Sequence, residues 1–217
     1  ALRAQISPHF IYNSLGAIAS FVRTDPERAR ELLLEFADFT RYSFRTHGEY
    51  TTLAEELRSV ERYLLLEQAR FGERLSVRLS VAPEVLPIAV PFLCLQPLVE
   101  NAVRHGLADA ETGHICIRAA DSGTECVIEV EDDGAGEDPE KVRRALAGVS
   151  TGSTTRDSST TRDGSTAGSN DSVGLGNVDA RLRNAYGDDY GLVVETAPGA
   201  GTKVILRIPK FAPGVHP

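Results

Sequence analysis

Within Leu95–Gly106, LQPLVENAVRHG, a carboxylate, an amide, a guanidinium and an imidazole fall within two helical turns: Glu100, Asn101, Arg104 and His105. Oxygen ligands suit a hard cation, and cationic or hydrogen-bonding groups suit phosphate oxygens. The set therefore matches what a metal-bound polyphosphate requires. The stretch reads as an amphipathic helix, with Leu95, Leu98, Val99, Ala102 and Val103 on its apolar face. Taken alone, the polar face also fits an ordinary half-exposed helix, so its weight depends on the motifs downstream of it.

Three glycine clusters lie there. Asp132-Asp133-Gly134-Ala135-Gly136 comes directly after a strand pattern. Its glycines permit close approach of the backbone to a ligand. Asp132 can accept a hydrogen bond from an exocyclic amine such as that of adenine; a single DxGxG is also a common turn. Gly174-Leu175-Gly176-Asn177 is expected directly before a helix over 178–186, where N–H donors at the positive end of the dipole suit phosphate. Gly199-Ala200-Gly201-Thr202 fits a hairpin turn equally well. Between the first two clusters, residues 149–172 are mostly Ser, Thr, Gly, Asp and Arg and read as a flexible lid. Arg156 and Arg162 in it either touch phosphates on closure or only solubilise the loop.

The elements that must position these groups fall into two regions. The spacing predicts three helices before residue 72. The first runs from about Leu2 to Arg23, with a kink at Pro8, and places His9, Asn13, Gly16 and Ser20 on a narrow strip beside its apolar arc. The second opens at Asp25-Pro26, carries the stripe Ala29, Leu32, Leu33, Phe36, Thr40 and Phe44, and ends at His47-Gly48. The third opens with the capping box Thr52-x-x-Glu55, with Leu53, Leu57, Val60, Leu64 and Phe71 as its seam. Glu55, Glu56, Arg58, Glu61 and Arg62 read as its solvated face. These helices have too few mutual faces to bury their apolar area, so dimerisation or docking on the rest of the chain is expected. From Leu75 the period changes to strand alternation, over 75–81, 114–119, 126–130, 192–195 and 203–209. Strands interleaved with helices predict an α+β chain whose second region is an α/β sandwich, a mixed sheet with helices on one face.

Composition excludes some classes. At 217 residues with 41% hydrophobic and 25% charged residues, the chain has the make-up of a globular protein of one or two domains. A net charge of -8 argues against a general nucleic-acid binder, but leaves room for an anion held by local N–H groups and a metal. Cys94, Cys116 and Cys126 lack metal-ligand spacing and read as small hydrophobes in a reducing compartment. No apolar run approaches the ~18 residues of a membrane span. The chain starts at Ala1 inside a helical pattern and contains no methionine. It therefore reads as a piece cut from a longer protein, which leaves room for an upstream membrane or sensor portion.

The order of motifs is specific: an Asn-bearing helix, DxGxG after a strand, a polar lid, GLGN, and GxGT in a hairpin. It resembles the ATP-binding domain shared by gyrase, heat-shock chaperones, histidine kinases and MutL. With ISPHFIYNSL upstream, LQPLVENAVRHG resembles the LytS-type sensor histidine kinases, over essentially the whole chain. The resemblance implies a helical dimerisation and histidine phosphotransfer region at 1–72 and an ATP-binding catalytic domain at 73–217. It implies His9 as phospho-acceptor and Asn101 as Mg²⁺ ligand, with Glu100 and His105 close to the metal and phosphates and Arg104 as a basic phosphate contact. Asp132 would hold the adenine amino group above Gly134 and Gly136. Gly174, Leu175, Gly176 and Asn177 would lie at the phosphates, and Thr202 behind the adenine. Two departures stand out. Many histidine kinases have an acid after the acceptor histidine, where this chain has Phe10; Asn13, one turn on, can orient the imidazole but is no base. Pro97 stands where many superfamily members have Asn or Glu.

The resemblance thus implies a sensor kinase of a two-component system that uses ATP and Mg²⁺, forms a homodimer and passes phosphate to a response regulator aspartate. It binds no nucleic acid directly and sits on the cytoplasmic side of the membrane, with this part itself soluble. The alternatives are a catalytically silent ATP-sensing dimer, favoured by the missing base beside His9, and a chaperone- or MutL-like ATPase, which leaves ISPHFIYN without a role.

Overall fold

In the computed structural model, which describes residues 7–44, 48–108, 110–150, 169–212 and 214–215, each of the first two helices opens on a proline. Proline at the first helical position loses no intrahelical bond, and its fixed φ suits the helix. Helix α1 spans Pro8–Phe21. Pro8 therefore starts the helix and does not kink it; residues 1–6 lie outside the described residues. Helix α2 spans Pro26–Ser43, and the Asp25 carboxylate caps it by accepting from the Arg28 N–H at 3.0 Å. It ends before the expected His47, which is outside the described residues. Its inward face is Ala29, Leu32, Phe39, Tyr42 and Ser43, whereas Leu33 and Phe44, expected inside, are exposed. Three consecutive leucines, Leu32-Leu33-Leu34, blur the phase of that face, because a helix can turn only part of such a run inward.

Strand β1, Tyr50–Thr52, leads directly into helix α3, Leu53–Phe71. Thr52 caps α3 by accepting from the Glu55 N–H at 3.2 Å. The Glu55 carboxylate accepts from the Thr51 hydroxyl. The three helices meet on a ring cluster: Phe10 lies 5.1 Å from Phe39 and 4.9 Å from Tyr63, centroid to centroid. Burying a ring of this size contributes about 2 kcal/mol.

The remaining strands are β2 Leu75–Val81, β3 Ala89–Pro91, β4 Gly113–Ser122, β5 Glu125–Asp132, β6 Val193–Thr196 and β7 Thr202–Pro209. Five of them form one sheet in the order β2-β4-β5-β7-β6, in which β2 and β4 are parallel and the other neighbours antiparallel. Alternate residues Ile115, Ile117, Ala119, Cys126, Ile128, Val130, Leu206 and Ile208 are buried, while Arg118, Glu129 and Glu131 stand on the opposite face. The expected mixed sheet with helices on one face is therefore present. Helix α4, Gln96–Leu107, packs on β4 and β5, and helix α6, Ser169–Tyr186, packs on α4. Helix α5, Pro139–Ser150, and the antiparallel ribbon of β1 with β3 were not anticipated. Three-residue strands are too short to display a period.

The ribbon and α3 join the two regions. Helix α3 packs against α4 and β2, and one apolar cluster runs from Phe10 to Ile208.

Candidate functional site

Helix α4 turns Leu98, Val99, Ala102 and Val103 into the core, as its periodicity predicts. Glu100, Asn101, Arg104 and His105 occupy its other face. The Glu100 carboxylate accepts from Gln96 Nε2 at 2.9 Å, and burial pushes its pKa up. Asn101 Oδ1 accepts from Arg104 Nη2 at 2.7 Å. Asn101 Nδ2 is buried and has no partner among the described residues. A buried amide nitrogen left unpaired costs free energy; Gln96 Oε1, on the same helix, is likewise without a partner among the described residues.

Glycines bring α4 to the end of β5. A Cβ on Gly106 would lie 3.2 Å from Ile115 Cδ1 and 3.6 Å from Asp132 Cβ. A Cβ on Gly134 would collide with the carbonyl oxygen of His105 and lie 2.9 Å from Asp132 Oδ1. The DxGxG loop thus closes on the last turn of α4 because it has no side chain there. Gly136 and Gly201 have φ of +66° and +77°, and side chains on them would run into Ala197 and Asp132 backbone. The Gly199 N–H donates to Ala135 at 2.6 Å. The DxGxG loop and the β6–β7 hairpin are therefore one interlocked floor.

Asp132 is the buried carboxylate on that floor, at 6% exposure. Its Oδ1 accepts from the Gly134 N–H at 3.0 Å, and the Thr202 N–H also favours its ionised form. Burial outweighs both and lifts its pKa to about 6. The Thr202 and Thr196 hydroxyls lie 3.0 Å apart; Thr196 donates to Gly201 O at 3.0 Å and accepts from the Glu137 N–H at 2.9 Å. Asp133, beside Asp132, takes a separate role: it accepts from the His114 N–H at 2.7 Å and lies 2.6 Å from His114 Nδ1. Those hydrogen bonds outweigh its own desolvation and hold its carboxyl below the usual range.

The third glycine cluster departs from expectation. Gly174, Leu175, Gly176 and Asn177 lie within α6, which starts at Ser169, not before a helix at Val178. Their N–H groups therefore belong to the helix interior and do not form a phosphate-binding helix start. The physical reason is that glycine costs a helix only about 1 kcal/mol, so two glycines do not stop one that packs well. Leu175 packs on the core, Gly176 is buried, and Gly174 approaches Pro97 of α4, 3.9 Å from a built Cβ. The central part of the expected lid, 151–168, with Arg156 and Arg162, lies outside the described residues.

His9 is exposed on α1, as its strip predicts, and Asn13 Nδ2 lies 3.0 Å from its Nδ1 and 3.3 Å from its Nε2. Phe10 is buried. Helix α1 packs on α2 and α3, while α4 packs on α3, β4, β5 and α6. The structure thus brings His105 and Gly106 at the end of α4 against Asp132 and Gly134, with Gly136 and Thr202 in the same floor and Glu100, Asn101 and Arg104 further back along α4, and leaves His9 with Asn13 on a separate helix.

Sequence reasoning missed two carboxylates of α3. Glu56, read as part of a solvated face, is 1% exposed, and Glu67 is 3% exposed. Burial raises both. The signal available was position: Glu56 lies three residues after Leu53 and four before Val60, at the edge of the apolar seam.

Among the described residues no cluster of three or more His, Cys, Asp or Glu could hold a metal ion. Mg²⁺ commonly takes one or two protein oxygens plus phosphate and water, and Asn101 Oδ1 beside the Glu100 carboxylate fits that donor set.

A family model described as histidine kinase-, DNA gyrase B-, and HSP90-like ATPase matches residues 90–212, and one described as histidine kinase matches residues 1–75. The chain is 34% identical over 209 residues to the sensor histidine kinase BtsS of Escherichia coli K12, covering 96% of this chain and 32% of that protein. It is 34% identical over 205 residues to the sensor histidine kinase/phosphatase LytS of Staphylococcus aureus Mu50, covering 93% of this chain and 32% of that protein. It is 36% identical over 211 residues to YwpD of Bacillus subtilis 168, a putative uncharacterized protein, covering 95% of this chain and 68% of that one. The chain thus spans about a third of the length of the first two of these relatives.

Proposed function

The chain belongs to the histidine kinase-, DNA gyrase B-, and HSP90-like ATPase family and, within it, to the LytS-type sensor histidine kinases, and from that premise we propose that it binds Mg-ATP and phosphorylates its own His9. The observation that carries this reading is the closure of α4 onto Asp132 through Gly106 and Gly134. It supports a reading in which the amide and carboxylate further back on α4 serve phosphate and metal and Asp132, beyond its last turn, accepts from an exocyclic amine.

In this reading residues 1–72 form the dimerisation and phosphotransfer region and 73–217 the ATP-binding region, with 149–172 as lid. Asp132 accepts from the adenine amino group, and Thr202 with Gly134 and Gly136 shapes the floor beneath it. Asn101, released from Arg104, and Glu100 would hold Mg²⁺, which supplies charge neutralisation on the phosphates. Arg104 and His105 face the phosphates; of the GLGN segment only Gly174 and Asn177, which are not buried, would line them. Asn13 fixes the ring of His9. One imidazole nitrogen attacks the γ-phosphorus in line, an N–P bond forms, the bond to the β-phosphate oxygen breaks, and ADP leaves. The labile N–P bond then passes the phosphoryl group to an aspartate of a response regulator.

A homodimer suits the exposed apolar side chains of Tyr12 and Leu15 on α1, Val22 just after it, and Leu33 and Leu34 on α2. Among the described residues no helix is long and apolar enough to cross a membrane. Relatives named sensor histidine kinase are about three times as long, which leaves room for a sensor portion; the reading places it upstream in the membrane, with this part on the cytoplasmic side.

One observation favours the silent ATP-sensing dimer as a second reading. The residue after His9, Phe10, is packed against Phe39 and Tyr63, so no base stands there. Incubation with γ-labelled ATP and Mg²⁺ separates the two. The kinase gives a phosphohistidine; the sensor binds ATP and stays unlabelled.

A further inference from the structure

The short segment that leads into α4 is held from three other helices. Glu56 of α3 is fully buried, and its Oε1 accepts from the Leu93 N–H at 2.7 Å and from the Tyr42 hydroxyl of α2 at 2.7 Å. Its Oε2 accepts from the Leu95 N–H at 3.2 Å. Leu95 is the residue that caps α4, and it has no side-chain cap of its own. The Tyr42 ring packs on Phe92 at 5.1 Å. From the other side, Arg181 of α6 donates to the Phe92 carbonyl. Leu93 sits at φ 56°, a conformation that costs a branched residue energy and persists only where its surroundings enforce it. Every partner that Glu56 meets is a donor, which an ionised carboxylate satisfies and a protonated one does not. Burying such a group is worthwhile only when all its bonds are made at once.

We propose that Glu56 is a positioning residue: through it, α2 and α3 fix the first turn of α4 and hence the placement of Asn101. This rests on the proposed nucleotide site, because Asn101 matters through what it binds. A shift of α2 relative to α3 breaks the Tyr42 bond first. The freed carboxylate then loosens Leu93 and Leu95, and the turn that carries Asn101 follows. The two helices that pack on α1, which bears His9, thereby control the phosphate end of the nucleotide site, while the adenine end, built on β5 and the β6–β7 hairpin, is untouched.

The test uses the chain with Glu56→Gln and the milder Tyr42→Phe, in case the first folds poorly. Amide hydrogen exchange is read at 93–101 and across the sheet, and the affinities for Mg-ATP and for adenosine are measured. Both variants should speed exchange at 93–101 about tenfold, the loss expected of one hydrogen bond to a charged group. Exchange in β4 and β5 should hold. Mg-ATP should bind about tenfold more weakly and adenosine as before. Unchanged exchange at 93–101, exchange raised evenly across α3 and the sheet, or equal weakening of both ligands would overturn the proposal. If the unaltered chain bound no adenine compound, the nucleotide reading would fail, and the exchange pattern alone would still decide the role of Glu56.

Discussion

The carbonyl oxygen of His105 occupies the space that a Cβ on Gly134 would need, so the last turn of α4 rests directly on the backbone that follows Asp132. This contact sets the groups of one helix beside the carboxylate of one strand. Gly134→Ala must displace backbone, not the flexible tip of a side chain. It is expected to cost about 1–3 kcal/mol of stability and to weaken adenosine and Mg-ATP binding together. Urea unfolding with a binding titration checks this, and an unaltered titration would show that the contact does not shape the site.

Asp132 carries a pH signature. Burial lifts its carboxyl to about 6, above the 3.8 of an ordinary aspartate. A group that holds its proton more tightly when folded adds stability below its unfolded pKa and loses that stability as pH rises through the folded one. Its contribution is therefore fully present below about pH 4 and lost by about pH 6–7. Asp132→Asn should flatten that part of the stability curve, measured by urea unfolding at pH 4, 5, 6 and 7. A difference between the two proteins that is constant with pH would refute the assignment.

The same carboxyl is a strong acceptor for an amine only when ionised. Adenosine affinity is therefore expected to fall as pH drops below about 6 in the unaltered chain and to be weak and pH-independent in Asp132→Ala. Calorimetric titration across pH 5–8 reads this directly.

Much of the site was legible in the sequence, and the parts that were not share a cause. The helix 96–107 and its buried face followed from a clean period, and DxGxG after a strand followed from the need for glycine where two backbones approach. The burial of Glu56 was only partly legible: its place on the helix hinted at it, but its partners, the main-chain N–H groups of residues 93 and 95 and the Tyr42 hydroxyl, all lie away from it in sequence. The placement of Gly174 and Gly176 inside α6 was missed for a different reason. Local propensity disfavours glycine in helices by only a small margin, and packing of Leu175 and Val178 on the core outweighs it. The face of α2 was misphased because Leu32, Leu33 and Leu34 compete for one inward direction.

The metal role proposed for Asn101 makes a separate prediction. In the unaltered chain Mg²⁺ should tighten ATP binding, and in Asn101→Ala the titrations with and without Mg²⁺ should coincide, with adenosine unaffected. Retention of the full Mg²⁺ effect would move the metal to other ligands.

The exposed stripe of α1 and α2 predicts the oligomeric state. Leu15 is 43% and Leu34 is 53% exposed, so charge at either position should leave the fold intact. Light scattering should show a dimer for the unaltered chain and a monomer for Leu15→Glu with Leu34→Glu. A dimer that survives both changes would place the interface elsewhere.

The central claim, transfer of the γ-phosphoryl group to His9, is tested most directly by incubating the protein with γ-labelled ATP and Mg²⁺ beside its His9→Gln variant. The account predicts an acid-labile, base-stable label on the unaltered chain and none on the variant. Equal labelling of both, or no label on a chain that binds ATP, would contradict it.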